Sequence, residues 1–285
     1  MSHRRSLSSG SNNFFYVSSS LVDKGVDAYN DGEYERAIKC FSTALKAQRL
    51  TLGDDDICIA HTLGNYGAAC LSAGHNDEAL DILKECLQIK LKLKGKKSKS
   101  KDYVITITDT LNNLGNAAFF KDKNKEAMTF YQQCLTELTS GDVPGTEIEI
   151  ANALYNIGTV HTFLEELDDA LLALEESLNL VQKVYGQEHH LAIETLEKMG
   201  SIYLYQGQTE DAMATFMDVL GMSKAAYGSD HVDCAPSMYN IGLAYEAKGD
   251  KRRAMESYRS ALSIYKKNGI DNPSVDVIRQ RMVAI

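Results

Sequence analysis

The chain has 285 residues, of which 44% are hydrophobic and 24% charged, and this composition is typical of a folded protein rather than a disordered one. Its formal net charge of −9 disfavours nucleic acid as a partner, because phosphate backbones repel an acidic surface. Only three prolines and no tryptophan occur among many helix-forming residues, which predicts an all-α protein.

The N-terminal segment 1–17 is rich in serine and arginine and shows no hydrophobic period, so we expect a disordered tail. Organellar transit peptides share this bias and are an alternative interpretation. The segment lacks the apolar run of a secretory signal, and no stretch of the chain reaches the roughly 18–20 apolar residues that a membrane span needs. The six cysteines show no CxxC pair and no zinc-ligand spacing. We therefore expect reduced thiols in the cytoplasm, and no metal or other cofactor.

From residue 18 onward the sequence repeats six times around an anchor glycine. The anchors lie 42, 48, 43, 42 and 42 residues apart, at Gly25, Gly67, Gly115, Gly158, Gly200 and Gly242. An alanine follows each anchor by twelve residues, at Ala37, Ala79, Ala127, Ala170, Ala212 and Ala254. Nineteen residues after each anchor lies a small or compact residue, at Ala44, Cys86, Cys134, Ser177, Val219 and Ala261. The next residue, twenty after the anchor, is leucine in all six repeats. This spacing predicts two helices per repeat that pack closely at the small residues.

The turns and linkers of the repeats carry their own signals. Seven residues after the anchor, where the apolar pattern breaks, four repeats have glycine and the other two have Asp122 and Glu165. Glycines sixteen residues after the alanines predict C-caps of the second helices, at Gly53, Gly95, Gly186 and Gly228. His189 shares one linker position with His231 and Asp56, so we interpret it as linker structure rather than as a metal ligand. His161 occupies a packing position, which predicts a core histidine.

Two further segments depart from the repeat. The linker after the second repeat is six residues longer and basic, with lysines from Lys90 to Lys101, and we expect a solvated loop there. Alternatively, Lys94, Lys96, Lys97, Lys99 and Lys101 bind an anionic partner, an acidic membrane surface or a nuclear import factor. At residues 271–285, Asp271 or Asn272 precedes Pro273, and Val275, Ile278, Met282 and Ile285 share one face. This pattern predicts a helix that caps the last repeat.

These repeats resemble the tetratricopeptide repeat, which has glycine at position 8, alanine at position 20 and a small residue at position 27. The pitch of 42 residues is similar to the extended variety found in kinesin light chains. The resemblance covers residues 18–270 and implies a right-handed α-solenoid of six helix pairs, followed by the capping helix 271–285. It also implies a concave face, lined by the first helix of each pair, that binds an extended peptide of a partner protein.

The residues that the resemblance places on this face are mostly amides and aromatics. They are Asn65, Asn112, Asn113, Asn116, Phe119, Phe120, Tyr155, Asn156, Thr159, Phe163, Lys198, Tyr205, Tyr239 and Asn240. An amide can pair with both the N–H and the C=O of a peptide backbone, and aromatic side chains can hold anchoring residues. The third repeat, which has three amides and two phenylalanines, is the expected centre of the groove.

The sequence contains no phosphate loop, GxSxG or HExxH motif, so we expect no enzymatic activity and no small-molecule substrate. The hypothesis is a monomeric protein-interaction scaffold or adaptor that binds a neutral or basic, aromatic-containing peptide. Acidic C-terminal tails are poor candidates, because the groove lacks the lysine-rich positions that clamp them in related proteins. The alternative is an assembly or targeting factor that uses its convex face or the basic 90–101 loop.

Overall fold

The computed structural model describes residues 9–93, 100–140 and 143–285, and residues 9–16 by their backbone only. These residues form thirteen α-helices and no strand, which is the architecture of an all-α solenoid. The helices divide into two compact units, one ending at Glu149 and the other running from Ile150 to Ile285. Nowhere in the described part of the chain is a helix long and apolar enough to cross a membrane.

The first unit contains three helix pairs, in which α1, α3 and α5 are the first helices. The six helices are α1 (Ser9–Asn30), α2 (Tyr34–Leu52), α3 (Ile57–Ser72), α4 (Asn76–Lys92), α5 (Lys101–Phe119) and α6 (Asn124–Ser140). Each helix contacts the next one in the chain, and α3 also contacts α1 and α5. Helix α1 begins at Ser9, so the expectation of disorder is wrong for residues 9–17. No proline interrupts this stretch, and the backbone continues the helix of the first repeat in the N-terminal direction.

The second unit contains three more pairs and a terminal helix, and its first helices are α7, α9 and α11. The seven helices are α7 (Glu147–Phe163), α8 (Leu167–Tyr185), α9 (His190–Tyr205), α10 (Thr209–Tyr227), α11 (Cys234–Ala247), α12 (Lys251–Lys267) and α13 (Pro273–Ala284). The side chain of Asn272 caps α13 by accepting from the N–H groups of Ser274 and Val275. Val275 and Ile278 are buried against α12, and Met282 and Ile285 pack beside them, as expected for a capping helix.

The anchor glycines allow a large side chain of the second helix to lie against the first. A Cβ built on Gly25 would lie 2.6 Å from the Phe41 ring, and one built on Gly200 would lie 2.6 Å from the Phe216 ring. The same neighbour, sixteen residues after the anchor, occurs in every repeat: Phe41, Leu83, Tyr131, Leu174, Phe216 and Tyr258. All six are buried, and so are the six alanines. The anchors are therefore positions where any side chain would overpack the core.

The small residues nineteen positions after the anchors are all buried, and three of them also hydrogen-bond across the helix pair. Cys86 Sγ donates to the Ala60 carbonyl at 3.1 Å, and Ser177 Oγ donates to the Ala151 carbonyl at 2.7 Å. Cys134 makes the equivalent contact with Thr108. These bonds join a second helix to the first helix of its own pair, so the two cysteines have a structural role.

The tight turns within the pairs have the conformation that their glycines indicate. Gly32, Gly74, Gly207 and Gly249 have φ between 76° and 81°, in the left-handed region. Asp122 and Glu165, which replace glycine in the other two repeats, have φ of 56° and 61°. A side chain in this region is strained, because its Cβ approaches the following carbonyl oxygen.

The linkers between pairs end and begin helices as predicted. Gly53, Gly186 and Gly228 cap α2, α8 and α10 with positive φ, whereas Gly95 lies outside the described residues. His189 is the N-cap of α9, and its Nδ1 accepts from the Leu191 N–H at 3.3 Å. Asp56 caps α3 in the same way, by accepting from the Cys58 N–H at 2.8 Å. The shared linker position is thus an N-cap position in these two repeats, whereas His231 lies two residues before Asp233, the N-cap of α11.

Candidate functional site

A polar cleft of about 470 Å³ lies in the first unit between the first helices α3 and α5. Three of the predicted groove residues, Asn65, Asn112 and Asn113, line it together. The other lining residues are His61, Gly64, Ala68, Lys90, Thr106, Asp109 and Thr110. We call this site the polar cleft.

Two amides of the polar cleft occupy equivalent positions of successive repeats. Asn65 and Asn113 both lie two residues before their anchor glycine, so successive first helices present them at the same level of the helix pair. Asn65 is exposed and Asn113 half-buried. Within the described part of the chain, no side-chain hydrogen bond engages either residue. Their donors and acceptors are therefore available to a ligand.

Lys90 is the functional candidate of this cleft that the sequence analysis missed. It lies in the last turn of α4 and is 5% exposed. Its ammonium donates to the Thr106 carbonyl at 2.7 Å and to Thr110 Oγ1 at 2.8 Å. The alignment of repeats carries a signal for this burial, because the positions equivalent to Lys90 include the apolar Leu138, Val181 and Tyr265.

The buried ammonium sets the electrostatics of the polar cleft. Burial raises the pKa of the Asp109 carboxyl, and the nearby charge of Lys90 opposes that rise. Burial also lowers the pKa of the His61 imidazole, and the charge of Lys90 lowers it further. The cleft thus combines one buried cation, one carboxylate of weakened acidity and three amides, a set that can hydrogen-bond a polar backbone.

The structure does not bring the other predicted residues of the third repeat into the polar cleft. Asn116 Oδ1 accepts a hydrogen bond from the Tyr131 hydroxyl at 2.6 Å, so this amide stabilises its own helix pair. The rings of Phe119 and Phe120 lie 6.2 Å apart at the end of α5, and Phe120 is 64% exposed. Neither phenylalanine lines the cleft. Of the predicted residues of the third repeat, only Asn112 and Asn113 therefore line the polar cleft.

A larger cleft of about 620 Å³ lies in the second unit, on the first helices α7, α9 and α11. Five predicted residues line it: Tyr155, Phe163, Lys198, Tyr205 and Asn240. The remaining lining residues are Thr162, Glu165, Leu167, Glu194, Glu197, Ser201 and Ile202. We call this site the aromatic cleft. Phe163 and Tyr205 are 62% and 70% exposed, so both rings are accessible at the surface of this cleft.

The aromatic cleft contains one cation and three carboxylates. Lys198 Nζ lies 5.3 Å from the centre of the Tyr155 ring, and burial lowers the pKa of this amine. Glu197 Oε1 accepts a hydrogen bond from the buried Ser237 hydroxyl at 3.0 Å. Burial raises the pKa of Glu197, and the charges of Glu194 and Asp233 raise it further. The cleft is therefore net negative even though Lys198 lies within it.

Three predicted residues of the second unit do not line the aromatic cleft. Thr159 Oγ1 donates to the Tyr155 carbonyl at 2.9 Å, within its own helix. The Tyr239 ring packs 5.6 Å from the ring of Tyr258, toward the core of the last pair. Asn156 lies on α7 among half-buried residues, outside the cleft lining. Asn240 does line it, and no side-chain hydrogen bond within the described residues engages it.

One group in the described part of the chain places three metal-ligand types close together. His161, Glu166 and Asp169 offer ligand atoms that all lie within 4.8 Å of one another. His161 Nδ1 lies 2.6 Å from Glu166 Oε2, and both acidic residues are exposed. A surface hydrogen bond accounts for this arrangement. His161 is half-buried rather than in the core as expected, because it lies at the end of α7, next to the exposed turn.

The structure describes only the two ends of the basic segment 90–101. Lys94, Lys96, Lys97 and Lys99 lie outside the described residues. Lys101 begins α5 and donates to the Gly145 carbonyl at 2.6 Å. Lys92 ends α4 and pairs with Asp55 at 2.8 Å. The expectation of one solvated loop over residues 90–101 is therefore wrong at both ends, which are helical and bonded.

Comparisons with known proteins agree with the repeat pattern. A family profile described as a tetratricopeptide repeat matches residues 16–92, 149–225 and 214–267, and a second profile with the same description matches residues 108–137. No curated protein sequence matches the chain.

Solved structures show a similar fold. RapI in its apo form is 13% identical, with a TM-score of 0.68 over 93% of this chain and 94% of RapI. BtubC (BKLC) of P. vanneervenii is 16% identical, with a TM-score of 0.65 over 93% of this chain and 94% of BtubC. A protein of Podosopora anserina, described as a kinesin light chain with nearly identical TPR-like repeats, is 16% identical. Its TM-score is 0.62 over 76% of this chain and 99% of its own. At these identities the likeness concerns the fold alone.

Proposed function

The chain belongs to the tetratricopeptide repeat family, with repeats like those of kinesin light chains, and from this premise we propose that it binds an extended peptide of a partner protein along its first helices. The fold is that of a protein-interaction scaffold. The proposed activity is binding without catalysis, and the candidate contact residues are those that line the polar cleft and the aromatic cleft.

The observation that carries this proposal is that three asparagines line the clefts without a side-chain hydrogen bond to the described part of the protein. Asn65, Asn113 and Asn240 all lie two residues before an anchor glycine, all line a cleft, and make no side-chain hydrogen bond within the described residues. An extended peptide has an N–H and a C=O exposed at each residue, and an amide side chain complements both. If the amides served only to join neighbouring repeats, these three would have partners in the protein.

We test this proposal with a library of random dodecamer peptides displayed on phage and selected on the full chain. The affinity of the enriched peptides is then measured by calorimetry for the wild-type protein and for the Asn65→Ala/Asn113→Ala double variant. The variant should weaken binding about tenfold, since the loss of two hydrogen bonds costs roughly 1–3 kcal/mol. Peptides that bind through the aromatic cleft should instead respond to Asn240→Ala.

The matched control is Asn179→Ala, which removes an exposed amide from the second helix α8, outside both clefts. Circular dichroism checks that every variant keeps its helices. Failure to enrich any peptide, or enriched peptides that bind all four proteins equally, would contradict binding along the first helices.

We further propose that the protein works as a monomer in the cytoplasm. All six cysteines are free thiols, which is compatible with a reducing compartment. A fluorescent fusion tests the location, and light scattering of the purified chain tests the oligomeric state. A dimer at micromolar concentration, or a fusion confined to an organelle, would contradict this part of the proposal.

A further inference from the structure

From the charges and exposed rings of the aromatic cleft, we infer that it receives an arginine or lysine side chain of the bound peptide. This inference rests on the proposed function and specifies the chemistry of one of its contact sites. In this arrangement the aliphatic part of the ligand side chain packs on the apolar lining of the cleft, which includes Phe163 and Tyr205. Its charged end pairs with the carboxylates of Glu165 and Glu194.

The balance of charge favours a cationic occupant. Glu165, Glu194 and Glu197 line the cleft, and Lys198 is the one ammonium in its lining. Glu165 and Glu194 are exposed, so both carboxylates can reach a ligand, whereas Glu197 is half-buried and bonded to Ser237. An acidic side chain of the ligand would be repelled by the glutamates of this cleft. A cationic side chain would instead exchange its hydrogen bonds to water for charge-assisted hydrogen bonds to the carboxylates.

The aromatic rings suit the long stem and the charge of the same side chain. Phe163 and Tyr205 each lie five residues after their anchor glycine, on α7 and α9, and both are mostly exposed. Leu167 and the buried Ile202 complete the apolar surface of the cleft. Arginine and lysine have aliphatic stems that pack on apolar surface, and their charged ends are attracted to ring faces.

The protein already holds one cation on an aromatic ring of this cleft. Lys198 Nζ lies 5.3 Å from the Tyr155 ring centre, within the distance of a cation–π contact. Tyr155 is half-buried, whereas the rings of Phe163 and Tyr205 in the same cleft are mostly exposed.

The experiment compares two double variants on the peptides enriched from the random dodecamer library. Glu165→Gln/Glu194→Gln removes two charges from the aromatic cleft. Glu175→Gln/Glu176→Gln removes two charges from the exposed face of α8 and is the matched control. We expect the enriched peptides to share a basic residue, and the first variant to bind them about tenfold more weakly while the control binds them normally.

A second pair of variants tests the rings. Phe163→Ala should weaken the basic peptides by a similar factor. Phe120→Ala, at the equivalent position of the first unit and equally exposed, should not. In the complementary test, replacement of the peptide's basic residue by glutamine should cause the same loss for the wild type and almost none for Glu165→Gln/Glu194→Gln.

The outcomes separate this inference from the proposed function. Enriched peptides that lack a basic residue, or that bind the cleft double variant as tightly as the wild type, overturn the inference. If those same peptides are still weakened by the asparagine variants, binding along the first helices stands. A library that enriches no peptide contradicts both.

Discussion

The polar cleft and the aromatic cleft are built on the same repeat and yet have opposite chemistry. In the first unit the cleft lies along the middle of the first helices, where amides, Asp109 and the buried Lys90 meet. In the second unit it extends to the C-terminal ends of the first helices, where Phe163, Tyr205 and three glutamates meet. The core beneath both is the same, since each anchor glycine accommodates one large side chain. The difference shows that packing positions repeat because the helix pair demands them, whereas the exposed positions are free to differ.

The largest expected effect tests the shared core. Gly115→Ala and Gly158→Ala should each lower the free energy of unfolding by about 1–3 kcal/mol, because the new methyl group overlaps Tyr131 in one unit and Leu174 in the other. Urea denaturation followed by circular dichroism measures the loss. The control is Gly221→Ala on α10, where nothing lies within 4 Å of the built Cβ and a gain of roughly 0.5–1 kcal/mol is expected. If Gly115→Ala behaved like the control, the packing explanation of the anchors would be wrong.

The next effect concerns the two strained turns, one in each unit. Glu165→Gly should stabilise the protein by roughly 1 kcal/mol, because glycine adopts a positive φ without a steric penalty. Asp122→Gly should give a smaller gain, since aspartate tolerates this region better than glutamate. Thermal and urea denaturation measure both variants. Gly207→Ala is the reverse control and should destabilise, because its φ is 77°. Equal stability of all three variants and the wild type would show that these turns store no strain.

A smaller, pH-dependent effect is expected in the aromatic cleft. Below the ordinary Glu pKa of 4.5, Glu197 is protonated in both the folded and the unfolded chain. As the pH rises, the unfolded chain loses this proton first, so the contribution of Glu197 to stability falls until the pH has passed its raised folded-state pKa. Glu197→Gln should therefore be more stable than the wild type at pH 7 and equal to it near pH 4. Urea midpoints across this range measure the difference, and Glu175→Gln is the exposed control. A gain that stays constant with pH would show that the titration of Glu197 is not its cause.

The smallest effect is a change of ionisation in the polar cleft. The positive charge of Lys90 lowers the pKa of both Asp109 and His61. Lys90→Met should therefore raise the pKa of Asp109 further above its ordinary value and return the pKa of His61 toward its ordinary value. Carboxyl and imidazole chemical shifts followed by NMR titration report the two groups separately. Lys92→Met, which removes an exposed lysine from the same helix, should move neither. Unchanged titration of both groups would mean that the Lys90 charge does not act on the polar cleft.

Much of the fold could be read from the sequence because the repeat is periodic. The turn glycines, the linker role of His189 and the capping helix all depend on contacts between near neighbours in the chain, and these contacts have recognisable residue preferences. The large residue sixteen positions after each anchor occurs in all six repeats, but it varies among phenylalanine, leucine and tyrosine. It is therefore harder to recognise as a repeat position than the invariant glycine and alanine.

The candidate site was predicted less completely. The repeat register placed Asn113 and Asn116 on the same helix, but only the packed structure shows that Tyr131 engages Asn116 whereas Asn113 lines the polar cleft. Likewise, Lys90 lies within a run of lysines that indicates a solvated loop, and the structure buries it. In both cases the deciding neighbour comes from another helix, and helical periodicity does not identify that neighbour.

The spacing of glycine, alanine and leucine is enough to specify an all-α chain of six helix pairs, because these residues recur at the intervals that two close-packed helices and a tight turn require. Which exposed side chains converge depends instead on how the helices pack in three dimensions. The two clefts, the buried ammonium of Lys90 and the carboxylates around Phe163 and Tyr205 depend on distances between helices that are far apart in the chain. Such distances are set by side-chain packing between pairs, and the repeat pattern specifies only the packing within each pair.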